Sequence, residues 1–260
     1  MPSNPVLDAM MARKSVRRYR EDTPSDEIIE AVARAGQQAP FAAQLGSLLL
    51  SRKRDKNPFH APLLFTICAD IHRLERILDA RGWTWKTNDI LTLLFGIQDA
   101  TYMAENMVIA AESLGLGSCF LGMTPYYAKQ IIEAYRLPPR VFPFVQLTMG
   151  YPAEQASPRP RYPLAFQLFE DRYPEFTGEE IAEAMHLMDT GYLAQDYYRN
   201  AGAMIPLQEG REECFTYDDY GWTEHMGRKW GQWHPSPNAL LDQIEACGFH
   251  LSREAEPEEG

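Results

Sequence analysis

The stretch of residues 95–124 constrains the fold of this chain more than any other part of the sequence. It is rich in strong helix formers, and its apolar side chains recur at helical spacing over residues 97–114. The apolar stripe is broad and contains several alanines, which let other backbones approach closely. We therefore predict a central helix that packs on several sides, then a glycine stop and a short buried strand over residues 118–121 that ends at Gly122.

Composition limits the classes of protein that the chain can belong to. With 260 residues, 45% of them hydrophobic, it can bury a sizeable core. Its net charge of −11 argues against a general nucleic-acid or anionic-membrane surface, although a basic cluster at residues 13–20 contrasts with an acidic tail at residues 254–259. The four cysteines lack metal-site spacing and are expected to be reduced thiols. Without a long apolar run or a signal-peptide pattern, we expect a cytoplasmic protein that binds neither nucleic acid nor membrane.

The remaining segments alternate between predicted helices and strands. Thr23 or Ser25 is expected to cap the second helix. Helices are predicted at residues 5–12, 24–36, 128–135 and 240–246 and within residues 71–85 and 177–198, and strands at residues 48–50, 63–69 and 145–149. The predicted organisation is a single domain, with a core over residues 1–175 and a C-terminal extension over residues 176–260 that wraps it.

Three segments carry groups that suit a ligand. RKSVRRYR at residues 13–20 fits either a solvated charged turn or a cradle for a phosphate, to which arginine forks bind well. Residues 37–44 form an uncharged polar loop that could equally be a connector. SPRPRYP at residues 157–163 is locked by prolines, which fixes Arg159 and Arg161 at low entropic cost to an anion that they bind.

Four motifs occur in a fixed order along the chain: RKSVRRY, DATYMAENMVIAAESLGLGSCFLG, MGYPAE and PRPRYP. In order and spacing they resemble the FMN-dependent nitroreductase family, and within it the larger group of oxygen-insensitive nitroreductases and NAD(P)H-flavin oxidoreductases. A tyrosine pair at residues 197–198 and a W-[ST]-x-H-x-x-[RK] stretch at residues 222–228 add to the resemblance, which covers nearly the whole chain.

The resemblance implies an α+β fold, a nitroreductase-like α/β/α sandwich whose central sheet is mixed but mainly antiparallel. It also implies an intertwined homodimer with FMN at the interface, in a pocket composed of both subunits. The alanine-rich stripe of the central helix would then face the partner subunit. The C-terminal extension would wrap both the core and the partner.

The resemblance also assigns cofactor-binding residues by position. Arg159 and Arg161 match the basic pair that meets the FMN phosphate and ribityl chain. Gly122 would let the flavin approach without a Cβ clash, and Arg17 is the candidate for stabilising negative charge near flavin N1. The full set of expected cofactor-binding residues is Arg13, Lys14, Ser15, Arg17, Ala39, Pro40, Phe41, Gln44, Leu121, Gly122, Met123, Arg159 and Arg161.

The implied activity is hydride transfer from NADPH or NADH through flavin N5 to a nitroaromatic, quinone or flavin acceptor. No side chain is expected to be an obligatory general acid, no metal is expected, and His225 is expected to be structural. Ala201 and Ser236 stand where the family group has basic residues, the first of which contacts the 2′-phosphate of NADPH, so the preference for NADPH or NADH stays open. Trp83 and Trp85 would form a substrate wall if exposed and ordinary packing if buried.

Three other functions remain open. A specialised FMN enzyme of the same fold would carry out reductive dehalogenation or metabolite oxidation with poor nicotinamide turnover. A non-enzymatic flavin-binding or storage module would hold FMN with both ring faces covered. A globular protein with a solvated basic turn would bind no flavin at all.

Overall fold

The computed structural model describes residues 2–208 and 210–251 of the chain. It contains two compact units: the first runs through Ala156 and resumes at Ser236, and the second comprises residues 157–235. The acidic tail at residues 254–259 lies outside the described residues. The division into a core over residues 1–175 and a wrapping extension over residues 176–260 stays a prediction.

A four-stranded sheet forms the centre of the first unit within the described residues. Its strands are β1 (Gly46–Ser51), β2 (Leu63–Asp70), β3 (Gly117–Leu121) and β4 (Val141–Gly150). They lie in the order β1-β2-β4-β3, and all pairings between them are antiparallel. An isolated bridge between Ser15 and Ser118 adds a parallel contact at the β3 edge.

β4 is longer than the predicted strand, because it begins at Val141 and contains Pro143. A proline donates no hydrogen bond to a sheet and is tolerated mainly at edges and bulges. Here Pro143 lies opposite Cys68, at the point where the pairing register of β2 and β4 shifts. The bulge therefore accommodates the proline that made this part of the strand hard to predict.

The helices include two that coincide with the prediction, α1 and α5. The α-helices of the described residues are α1 (Pro5–Ala12), α2 (Asp26–Gln37), α3 (His72–Ala80), α4 (Asp89–Ser113), α5 (Ala128–Tyr135), α6 (Gly178–Leu193), α7 (Tyr197–Ala201), α8 (Trp222–Gln232) and α9 (Pro237–Ala246). Ser25 caps α2, since its Oγ accepts a hydrogen bond from Ile28 N at 3.4 Å. None of these helices combines the length and the apolar content needed to cross a membrane.

The central helix, α4, begins earlier than the sequence pattern indicated. Asn88 caps it by accepting a hydrogen bond from Leu91 N at 2.9 Å, so the helix includes the turns before residue 95. Its C-terminal end is as predicted: Gly115 adopts a left-handed conformation with φ of 75°, which a residue with a Cβ adopts only at a cost.

The alanine-rich stripe of α4 is buried within its own unit. Ala100, Ala104 and Ala111 are at most 1% exposed and pack in one core with residues of α2, β2 and β4. The expectation that this stripe faces a partner subunit is therefore wrong, because small side chains here let other elements of the same chain approach. Most of the large apolar side chains that α4 exposes lie nearer its start, at Ile90, Leu91, Leu94 and Phe95, with Tyr102 further along.

The second unit has an aromatic core that includes Tyr192, Tyr198 and Tyr220. Tyr198 stacks on His225 with ring centroids 4.3 Å apart, and burial lowers the pKa of this histidine. These contacts agree with a structural role for His225. α8 lies in the aromatic-rich residues 217–233, for which the sequence pattern indicated no helix.

Candidate functional site

The basic segment at residues 13–20 is attached to the edge of the sheet beside β3. Val16 N donates a hydrogen bond to Ser118 O at 2.8 Å, and the Val16 side chain is 1% exposed. Val16 fits because residue 117 is glycine: a Cβ at Gly117 would lie 2.4 Å from Val16 Cγ2. The segment is thus a fixed part of the fold rather than a loose solvated turn.

Tyr19 anchors the same segment further along. Its hydroxyl donates a hydrogen bond to Val16 O at 2.6 Å and lies 2.8 Å from Thr148 Oγ1 on β4. Burial raises the pKa of the Tyr19 hydroxyl, which therefore stays protonated and continues to donate. Because Val16 and Tyr19 are buried, Arg17 and Arg18 between them remain at the surface.

The contact between Gly117 and Val16 leads to a stability prediction. Gly117→Ala is expected to lower the free energy of unfolding by about 1–3 kcal/mol, because the added methyl would overlap Val16. Urea unfolding followed by far-ultraviolet circular dichroism measures the change. Gly122→Ala is the control, since a Cβ there meets nothing within 4 Å. Equal losses in the two variants would contradict the close packing at Gly117.

Glu154, which the sequence analysis did not single out, holds the backbone of the basic segment. Its Oε1 accepts hydrogen bonds from Arg17 N at 2.6 Å and from Arg18 N at 3.1 Å. Ala153 N in turn donates to Arg18 O at 2.8 Å. The available signal was its place in the MGYPAE motif, where an acidic residue follows the end of β4.

The side chains of the basic segment carry unneutralised positive charge. Among the described residues, Arg13, Lys14, Arg17 and Arg18 form no ion pair, although the chain has 36 acidic residues against 25 lysines and arginines. Glu112 on α4 interacts electrostatically with this segment: burial raises the pKa of Glu112, while Lys14 and Arg13 lower it. Such unpaired guanidinium and ammonium groups suit an anionic ligand.

The loop that follows α2 is held by Asp99, a carboxylate of α4 that is 3% exposed. Asp99 Oδ1 accepts a hydrogen bond from Ala42 N at 2.6 Å. Asp99 Oδ2 accepts two more, from Ala43 N at 3.2 Å and from Leu45 N at 2.8 Å. The sequence analysis did not identify Asp99.

A cavity of about 470 Å³ adjoins this loop, a volume in the range of small-molecule sites. α2, β1, α4 and Arg73 of α3 contribute the rest of its wall. Phe41 is 54% exposed, and Gln44 has a left-handed φ of 53°. The cavity is lined by all four expected loop residues, Ala39, Pro40, Phe41 and Gln44.

The end of β3 presents the next expected segment, Leu121, Gly122 and Met123. Thr124 Oγ1 donates to Leu121 O at 2.6 Å and accepts from Gln146 N at 2.9 Å, which ties the turn to β4. Gly122 has open space where a Cβ would stand. This space fits the expectation that a flat ligand approaches the backbone there.

Arg159 and Arg161 belong to the second unit. The Arg159 guanidinium lies 3.8 Å from the centroid of the Tyr197 ring and donates to Gln195 Oε1 at 2.7 Å. Arg161 Nη1 donates to Arg159 O at 2.9 Å. Neither arginine forms an ion pair with a carboxylate of the described residues. Both therefore retain their full positive charge for a ligand.

The two tryptophans of residues 83–85 differ in environment. Trp83 is 70% exposed. Trp85 packs against a buried cluster that includes Ile71, Leu93 and Phe249, and its indole Nε1 donates to Thr87 O at 3.0 Å. Ordinary packing therefore accounts for Trp85 but not for Trp83.

The expected site residues fall into separate groups in the structure. The four loop residues meet at one cavity. Residues 13–17 lie beside β3, and residues 121–123 lie at its end; neither segment lines that cavity. Arg159 and Arg161 lie in the other unit.

The structure is that of an α+β protein. A basic segment at residues 13–20 lies along the β3 edge of its sheet, and a polar loop lines a cavity. The Nitroreductase family model matches residues 47–151. Over 209 residues the chain is 31% identical to the Cr(VI) reductase of Pseudomonas sp. (strain G-1), covering 75% of this chain and 84% of that protein. The chain belongs to the nitroreductase family, and the family predicted from its motifs is confirmed.

Two further proteins show the extent of the similarity. The chain is 28% identical over 176 residues to the NAD(P)H FMN reductase of Bacillus subtilis (strain 168), covering 62% of this chain and 71% of that protein. The solved structure of NfrA2 from B. megaterium has a TM-score of 0.81 at 22% identity and covers 96% of this chain and 100% of its own. The predicted α+β nitroreductase-like fold is thereby confirmed.

Proposed function

We propose that the chain is an NAD(P)H-dependent FMN oxidoreductase that transfers a hydride through flavin N5 to a nitroaromatic, quinone or flavin acceptor. The observation that carries the proposal is the basic segment, because its backbone is fixed by Ser118 and Glu154 while its cationic side chains lack ion pairs among the described residues. Two of the relatives reported above, the Cr(VI) reductase and the NAD(P)H FMN reductase, are named as reductases, which supports the same class of reaction.

The described residues fit the chemistry of FMN. Its phosphate carries about −1.5 to −2 charges near neutral pH, and Arg159 and Arg161 are the proposed phosphate and ribityl ligands. Arg17 is proposed to stabilise negative charge near N1, because its guanidinium is exposed and not neutralised. The other proposed FMN contacts are Arg13, Lys14, Ser15, Ala39, Pro40, Phe41, Gln44, Leu121, Gly122 and Met123.

Bound FMN would supply the hydride chemistry, and the residues of the chain bind it, orient it and set the charge around it. The fixed backbone at residues 16–19 places the main chain of Arg17 before any ligand arrives, which lowers the ordering cost on binding to that of the side chain. The open space at Gly122 keeps the backbone accessible to the ring. No protein side chain is assigned as a proton donor.

Gly122→Val is expected to raise the FMN dissociation constant about tenfold, because the new side chain would fill the space proposed for the ring. The variant should fold normally, since a Cβ at Gly122 meets no protein atom within 4 Å. Fluorescence titration of the apoprotein with FMN measures the affinity, and thermal unfolding tests the fold. Unchanged affinity in a folded variant would remove Gly122 from the proposed site.

We also propose that the chain forms a homodimer. α1 buries none of its side chains. Exposed apolar groups of such density often mark an interface between proteins. They are Val6, Leu7, Met10 and Met11 on α1 and Ile90, Leu91, Leu94 and Phe95 on α4. Light scattering coupled to size-exclusion chromatography would test the proposal, and a mass near the 29.7 kDa of one chain would refute it.

The function is tested by anaerobic titration of the FMN-loaded protein with NADPH and, separately, with NADH. Rapid loss of visible flavin absorbance with either donor is expected, and the faster donor settles the preference that Ala201 and Ser236 leave open. Photoreduced or dithionite-reduced protein serves as the reference for full bleaching. Reduction by dithionite but by neither nucleotide would contradict the proposed activity.

A specialised flavoenzyme of the same fold is the second candidate. The observation that favours it is the replacement of two basic positions of the family group by Ala201 and Ser236. Such an enzyme would bind FMN as proposed but would turn over nicotinamide nucleotides poorly. The same titration separates the candidates, because only the specialised enzyme would retain oxidised flavin in excess NADPH and NADH.

A further inference from the structure

The loop at residues 38–45 combines exposure with a fixed backbone. Pro40, Phe41, Ala42, Ala43 and Gln44 are exposed, and the loop contains no regular secondary structure. Exposed loops of this kind are usually the mobile parts of a protein. Here three backbone N–H groups, those of Ala42, Ala43 and Leu45, donate to one buried carboxylate, that of Asp99.

Asp99 accepts the hydrogen bonds of the loop's backbone N–H groups from the side of the core. Its two carboxylate oxygens act as acceptors, and three N–H donors converge on them at 2.6–3.2 Å. Hydrogen bonds to a charged acceptor are stronger than neutral ones, and a side chain that is only 3% exposed is little screened by water. Asp99 forms no ion pair with the described residues, and a buried carboxylate of this kind would be costly without these donors.

Arg73 of α3 holds the same loop through its carbonyl groups. Its Nη2 donates to Gln44 O at 3.0 Å and to Gly46 O at 2.5 Å. An ion pair with Asp70 at 2.9 Å orients the guanidinium. The backbone N–H groups of the loop are therefore held by Asp99 on α4, and backbone carbonyl groups at its end are held by Arg73 on α3. Together these contacts keep Gln44 in its left-handed conformation.

We infer that Asp99 is a positioning residue of the flavin site, and that its carboxylate, with Arg73, orients Phe41 and Gln44 toward the cavity. We call the two residues that hold the loop, Asp99 and Arg73, the clamp. The inference rests on the proposed function, since it takes FMN to be the ligand for which the clamp orients the loop. Asp99 lies in the wall of the cavity but is only 3% exposed, and both of its carboxylate oxygens accept from the loop backbone, so it acts on Phe41 and Gln44 through that backbone.

Asp99→Asn in the full chain tests the inference. An asparagine keeps the shape but offers one acceptor oxygen, and its NH₂ would face an N–H donor of the loop. The FMN dissociation constant is expected to rise roughly tenfold, the effect of losing one charged hydrogen bond. The visible circular dichroism of the flavin at saturating FMN is also expected to change, because Phe41 and Gln44 would no longer be fixed.

Asp89→Asn is the matched control. Asp89 lies on the same helix, is 16% exposed, and accepts from Arg140 Nη1 at 2.6 Å and from His250 N at 2.7 Å, away from the loop. It should lower stability without changing the flavin spectrum or affinity. Equal changes in both variants, or unchanged FMN affinity and spectrum in Asp99→Asn, would overturn the positioning role.

Arg73→Ala provides a second route if Asp99→Asn fails to fold. Arg73 is 53% exposed, so its removal should be tolerated, and a several-fold weaker FMN affinity is expected. Arg76→Ala, an exposed arginine of the same helix paired with Asp79, is its control. Wild-type protein that binds no FMN would refute the proposed function itself, whereas wild-type binding with an unaffected Arg73→Ala variant would refute only the clamp.

Discussion

Arg161→Ala is expected to raise the dissociation constant of FMN by about ten- to a hundredfold, because it removes a charge-assisted contact proposed for the phosphate. The Arg161 guanidinium has no carboxylate partner among the described residues, so its deletion should leave no unpaired acid behind and should not destabilise the fold. Fluorescence titration of the apoprotein with FMN gives the affinity.

The same variant distinguishes a phosphate contact from a general charge effect. Arg172→Ala removes the same charge from another exposed arginine of the second unit that makes no ion pair with the described residues, and it should leave FMN affinity unchanged. Riboflavin, which lacks the phosphate, should bind wild type and Arg161→Ala equally well. A similar loss of riboflavin and FMN affinity would show that the phosphate assignment is wrong.

Arg228→Ala is expected to cause the largest loss of stability in the second unit. The Arg228 side chain is 2% exposed, pairs with both oxygens of Glu213 at 2.6 and 2.7 Å, and donates to Glu224 at 2.7 Å. It also lies over the rings of Phe215 and Tyr220. Breaking a buried pair costs roughly 3–5 kcal/mol, and the partial exposure of both glutamates places the expected loss at about 2–4 kcal/mol.

Arg199→Ala is the matched control for this effect. Arg199 also pairs with two acids of the second unit, Asp196 and Asp218, but its side chain is 47% exposed. Its removal should cost less than about 1 kcal/mol, as is usual for surface pairs. Urea unfolding of both variants makes the comparison, and equal losses would mean that burial of Arg228 is not the source of its effect.

The Arg228 pairs also predict how stability depends on pH. The hydrogen bonds from Arg228 lower the pKa of Glu213 from its ordinary value of 4.5 to about 2. A carboxylate whose pKa is lowered on folding stabilises the folded state above its unfolded value, and that contribution is lost as the pH falls through the folded value. Wild type should therefore lose stability between about pH 4.5 and 2, and Arg228→Ala should lack this part of the loss.

Much of the fold followed from the local pattern of the sequence. α1 and α5 were predicted with their observed bounds, and β2 with a difference of one residue at its end. Apolar spacing and terminal residues act within a few positions of the chain, so they can be recognised without the tertiary structure. α4 was predicted too short because its N-cap, Asn88, lies before the stretch in which the apolar period is clearest.

The segments of the candidate site were named from the sequence, but the residues that hold those segments in place were not. The basic segment, the polar loop and the end of β3 were recognised from their motifs. Asp99 could have been noticed, because it is an acidic residue on the buried side of the central helix, between Gly96 and Ala100. The direction in which the alanine stripe packs could not, since a helix period identifies a packed face without identifying what covers it.

The sequence by itself determined the family, the order of the elements and the residue types offered to an anionic cofactor, because these depend on local spacing and composition. Only the tertiary structure decided which groups hold those residues in place. Glu154 and Arg17 are separated by 137 positions, and Asp99 and Ala42 by 57. Hydrogen bonds across such distances arise from the packing of whole elements, and no local pattern of residues encodes them.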